Sequence, residues 1–292
     1  GGLVWLKSRT TQESNNIYDT ERGAMEALFS ESTAGEGNYN NRLTAFNNNG
    51  FRVNSDDATN KSGTDYCSWT FRKAPGFFDV VTYTGNSSTN RTVSHNLGSV
   101  PGAIIIKQTS SNGNNWCVYH RSTGTSKALS LNLFGKAENR DDRVKAVSSS
   151  TFTLGNSSEV NFNGSTYVAY VFAHDDQSFG TNHNESIIKC GSYTGNGNFS
   201  GGGPEVDLGF EPQWVMIKNA TESGTYSNWH IYDNSRGVSS KSDDIPLSAN
   251  RSDNEGSTYN TIADYISFTS RGFKIEGPGY TVTDTSGETY IY

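Results

Sequence analysis

The chain has 292 residues, of which 33% are hydrophobic and 12% aromatic, with 31 glycines and a net charge of −7. It carries no lysine/arginine cluster able to track phosphates, which argues against nucleic acid as a partner, and no apolar run near the ~20 residues that cross a bilayer as a helix. Aromatics recurring between Asn/Ser/Gly-rich tracts argue against a disordered chain and predict an all-β fold of antiparallel β-sandwich-like domains, with short strands, long polar turns and one wet sheet face.

In chain order, "LVWLK" (3–7) and "NNIYDTERG" (15–23) predict a hairpin whose second strand leaves through a turn at Gly23, a residue free to adopt positive φ. "AMEALFSES" (24–32) could form a helical turn or two, but its counterparts "SKALSLN" and "DIPLSAN" carry no helical period. "FRVNS" (51–55) and "DYCSW" (65–69) are further strands. The series then recurs as "AIIIK" (103–107), "NNWCVYHRSTG" (114–124), "FTLGN" (152–156) and "TYVAY" (166–170), preceded by "FDVVTYTG" (78–85). "HDDQSFGTNHNE" (174–185) reads as a linker. A third series follows: "SIIKCGSYTG" (186–195), "WVMIK" (214–218), "SNWHIYDNSRG" (227–237), "FKIEG" (273–277) and "TYIY" (289–292).

Spacing makes this a repeat. Tyr18 to Phe51 and Tyr119 to Phe152 are both 33 residues, and Phe51 to Tyr66 and Phe152 to Tyr167 are both 15. The third series is longer, at 41 and 17, as loop insertions would make it. The expected domains are 1–77, 78–176 and 187–292, with a linker at 177–186. The first series lacks the opening strand of the second, and the third stops at "ETYIY" where the second continues "VAYVFAHDDQ", so both ends are expected to cut through a repeat. In each copy the Tyr and the apolar residue before it (Ile17, Val118, Ile231) must face opposite sides of the sheet.

"LVWLKSR…NNIYDTERGA", "AYVFAHDDQSFG…NESIIKCGSYTGNG" and "DLGFEPQWVMIKNAT" resemble a repeat domain of virion proteins of tailed bacteriophages, of the kind found in phages of marine cyanobacteria. The resemblance covers nearly the whole chain. It implies a tail or other structural component and brings no catalytic residues with it.

The candidate sites are few. Asp19 and Arg22 recur as Asp233 and Arg236, before Gly23 and Gly237, while the middle copy has His120 and Thr123. This pattern reads as a carboxylate–guanidinium brace of the turn, adding about 0–1 kcal/mol if exposed, rather than as a ligand clamp. Trp116 and Trp229, with His230, are the candidates for stacking on a sugar; the alternative is that they fill a core or an inter-domain contact. His174, Asp175, Asp176 and His183 form a weak metal candidate without a zinc or EF-hand signature. Cys67, Cys117 and Cys190 read as buried free thiols, and the nine Asn-X-Ser/Thr sequons as chance products of composition. No GxSxG elbow or compelling carboxylate pair appears.

The expectation is therefore a non-enzymatic structural component of a phage virion, a tail fibre or other appendage, built of rigid modules strung in series. No cofactor is expected. The expected partners are further copies, such as a trimer, other virion proteins and possible host-surface glycan. The rivals are a glycan-binding receptor module, a polysaccharide depolymerase, and a secreted adhesin unrelated to phages.

Overall fold

A computed structural model describes residues 1–174, 179–198, 202–224, 226–238, 246–255, 257, 266–276 and 283–292. The fold is nearly all β, in antiparallel sheets. The first unit contains β1 (Gly2–Ser8), β2 (Asn16–Asp19), β3 (Gly23–Phe29), β4 (Gly37–Asn38), β5 (Leu43–Asn47), β6 (Gly50–Val53), the short helix α1 (Asp57–Asn60) and β7 (Tyr66–Arg72). The second contains β8 (Phe78–Thr84), β9 (Arg91–Ser94), β10 (Ala103–Gln108), β11 (Cys117–His120), β12 (Lys127–Ser130), β13 (Glu138–Asn139), β14 (Val144–Val147), β15 (Thr151–Leu154), α2 (Ser158–Asn161) and β16 (Thr166–Phe172). The third contains β17 (Ser192–Thr194), β18 (Glu205–Asp207), β19 (Trp214–Asn219), β20 (His230–Asp233), β21 (Leu247–Ser248), β22 (Ile266–Thr269), β23 (Gly272–Ile275) and β24 (Thr289–Ile291).

The strand orders correspond. The main sheets run β4-β3-β2-β1-β7, β13-β12-β11-β10-β16-β8 and β21-β20-β19-β24-β17. In each, the lysine-ending strand lies at the centre, between its hairpin partner and the closing strand. A smaller sheet packs on each main sheet: β5-β6, β14-β15-β9 and β22-β23-β18. Turn chemistry supports this arrangement. Gly23, Gly124 and Gly237 sit at φ +104°, +74° and +112°, the left-handed region expected after the second hairpin strand.

Side-chain alternation sorts each main strand between two cores. Tyr18, Tyr119 and Tyr232 enter the three cores between main and small sheets. Their neighbours Ile17, Val118 and Ile231 point the other way, into one core shared by all three units. Leu3, Trp5, Trp69, Trp116, Tyr170, Trp229 and Ile291 belong to that same core. Two expectations are thereby corrected. The units are not strung in series but packed face to face, and the main sheets are covered on both faces along their central strands. The low apolar content is consistent with this because the small sheets and long turns carry the polar surface.

Candidate functional site

The seams between units gather the Trp and Asp-x-x-Arg residues singled out by sequence, and the same contacts recur there in cyclic order. The backbone N–H of Glu36 donates to Thr109 O at 2.8 Å, that of Ala137 to Ala220 O at 2.9 Å, and that of Glu255 to Arg9 O at 2.9 Å. These bonds join first unit to second, second to third, and third back to first. They close a ring.

The lysines ending the central strands follow the same cycle. Lys107 Nζ donates to Thr33 O at 3.0 Å, Lys218 Nζ to Phe134 O at 3.2 Å, and Lys7 Nζ to Ser252 O at 2.9 Å. Each ammonium is fully buried and satisfies carbonyls of the neighbouring unit and of its own. Burial pushes Lys7 and Lys107 down to about 8 and Lys218 to about 7. Sequence reading assigned these lysines no role; the available signal was a Lys ending an apolar strand in every copy.

Trp116 and Trp229 are 0% and 3% exposed, which disagrees with stacking on a sugar and agrees with the alternative reading of an inter-domain contact. Each indole instead pins the preceding unit: Trp116 Nε1 donates to Phe29 O at 3.0 Å, and Trp229 Nε1 to Ser130 O at 2.9 Å. Asn15 stands at the equivalent position, and its Nδ2 donates to Ser248 O at 3.3 Å. The missing indole is supplied from the adjacent strand by Trp5, whose Nε1 donates to Asn15 Oδ1 at 3.1 Å. His230 is also buried, its ring near Tyr226 O, and is unavailable to a glycan.

The Asp-x-x-Arg pairs brace their turns as expected, but they are buried rather than exposed. Asp19 accepts from Arg22 N at 2.9 Å and from Arg22 Nε at 2.5 Å; Asp233 accepts from Arg236 N at 3.1 Å and from Arg236 Nε at 2.6 Å. A second carboxylate completes each site, Glu36 at 2.9 Å from Arg22 and Glu255 at 3.0 Å from Arg236. The pairs also meet the neighbouring unit, since Tyr170 OH donates to Asp19 at 2.8 Å and Trp69 Nε1 to Asp233 at 2.9 Å. In the middle unit the corresponding trio is His120, Thr123 and Ala137. There His120 Nε2 lies 3.0 Å from Tyr292 O of the third unit, and burial lowers its pKa to about 4.

Of the metal candidates, only the two histidines lie among the described residues, and they lie apart. His174 lies between Arg121 and the Cys190 backbone, His183 occupies an exposed turn, and Asp175 and Asp176 lie outside the described residues. Among the described residues no three potential ligands cluster. The three cysteines are free thiols pushed up to about 12 by burial, as their reading predicts. One cleft of about 870 Å³ opens beside the shared core, between β7 and β19.

The model of a domain of unknown function, DUF7483, matches residues 1–292. The chain belongs to the DUF7483 family. No curated protein and no solved structure matches it. The seam geometry of this DUF7483 domain is an architecture of mutual support. Its charged and aromatic candidates touch one another and the neighbouring backbone.

Proposed function

We propose that this chain is a non-enzymatic structural component made of three copies of one β-sandwich module, working in a tailed-bacteriophage virion as part of a tail fibre or other appendage. The observation that carries the structural reading is the cyclic set of seam contacts. Lys7, Lys107 and Lys218 each bridge to the same place on the preceding unit round the ring, as do Asn15, Trp116 and Trp229. The charged and aromatic side chains at the seams are committed to cohesion, which suits a rigid building block. The virion location rests on the sequence resemblance alone. Its partners would be neighbouring virion proteins and further copies of the chain.

Antibodies against residues 78–176, applied to purified particles and imaged by electron microscopy, test this reading. Label on a tail or appendage is the expected result. Absence of label, with a known virion protein detected in parallel, overturns it.

A further inference from the structure

β7 is the outermost strand of its sheet, whereas β16 is covered by β8 and β24 by β17. Among the described residues, no backbone hydrogen bond crosses the outer edge of β7. The small sheet of the same unit is also one strand short. β5-β6 lacks the strand that β9 and β18 supply elsewhere, and Phe51 is only half-buried where Phe152 is fully enclosed. The 870 Å³ cleft runs along the β7 edge.

The second unit provides an internal template for what such a place holds. There β8 pairs antiparallel with β16, from Thr166↔Thr84 to Phe172↔Phe78. It turns Phe78 and Val80 into the shared core, beside β1 of the preceding unit. Carried one step round the ring, that position lies between β7 and β19, where the cleft is. We propose that the cleft is a strand-acceptor site, filled by a further polypeptide strand of the β8 kind added antiparallel to β7.

Among the described residues, both strands of this kind, β8 and β17, are already paired with closing strands, so the proposed occupant is a strand from outside the three units. Its side-chain pattern follows from β7. Trp69 and Phe71 are buried toward the shared core, while Ser68, Thr70 and Arg72 are exposed on the other face. The incoming strand is therefore apolar at alternate, inward positions and polar between them. A strand also satisfies the row of edge N–H and C=O groups, which a sugar or small apolar ligand would leave unmade. This inference does not depend on where the protein works.

The test adds a synthetic peptide with the sequence of residues 77–85 to the 292-residue chain and follows backbone hydrogen exchange. The expected result is saturable one-to-one binding, with exchange across 66–72 slowed about tenfold or more and the central strands β10 and β19 unchanged. A peptide N-methylated at alternate backbone amides should lose this protection while keeping every side chain. Absence of protection at 66–72, or equal binding by the N-methylated peptide, overturns strand addition. The second outcome would make the cleft a side-chain pocket.

Discussion

Within one chain, the buried charges at the seams change together. Asp19, Arg22 and Glu36 in the first unit match Asp233, Arg236 and Glu255 in the third, and the middle unit replaces all three with His120, Thr123 and Ala137. The physical reason is that a buried guanidinium without its carboxylates, or the reverse, costs far more than losing the set. Arg236→Thr alone should therefore destabilise the protein by about 3–5 kcal/mol. Adding Asp233→His and Glu255→Ala should recover much of that loss, with urea midpoints as the measurement. A similar exchange links Trp5 and Asn15. Asn15→Trp alone forces two indoles into one place and should cost about 1–3 kcal/mol by overpacking. Combined with Trp5→Ile, which reproduces the Ile105–Trp116 pairing of the second unit, it should cost distinctly less. Purely additive losses would show that the two positions do not share the site.

At the scale of the strand, β11 and β20 each bury a histidine, His120 at a seam against Tyr292 O and His230 within its own unit near Tyr226 O. Burial drives His120 and His230 down to about 4; Arg121 and His174 add to this for His120, and Lys218 for His230, while carbonyls of Tyr292 and Tyr226 oppose it. The unfolded chain takes up these protons near pH 6.5 and the folded chain only near 4, so unfolding consumes protons between those values. Stability should fall as pH drops through that window, by on the order of 3 kcal/mol per histidine at its acid end. Glu31, whose pKa burial raises, acts in the opposite sense, and Lys218, lowered to about 7, acts in the same sense, so the histidine contribution is read as the difference between the protein and a variant lacking both histidines from pH 7 to pH 5. In His120→Gln/His230→Gln the slope of unfolding free energy over that interval should fall by most of the histidine contribution, leaving the smaller part due to Lys218 and Glu31. Strand alternation was legible in the sequence: Tyr18 and Ile17 had to face opposite ways, and they do. What the second face met was not legible. The indole of Trp116 and its acceptor Phe29 O lie 87 residues apart, and no local pattern encodes that distance.

The whole molecule differs most from a reading of beads in series, because its central core belongs to no single unit. Leu3, Ile105 and Ile231 come from three separate sheets yet share one cluster. Each unit has its own smaller core as well, around Val4, Ile104 and Val215 respectively, so local folding of each is conceivable but leaves one apolar sheet face open. The balance between these cores decides cooperativity. If the shared core dominates, calorimetry should give one transition whose calorimetric and van't Hoff enthalpies agree. Trp116→Ala, which removes a fully buried side chain at one seam, should then lower the stability of all three units together by about 3–5 kcal/mol. Hydrogen exchange supplies the spatial readout, with β1, β10 and β19 losing protection in parallel. Separate transitions, with loss confined to β10 and its neighbours, would mean that the small cores carry the stability and the ring is a docking of three independent folds. The closed cycle of lysine and backbone contacts favours the first outcome, since disrupting one unit removes seam partners from both others.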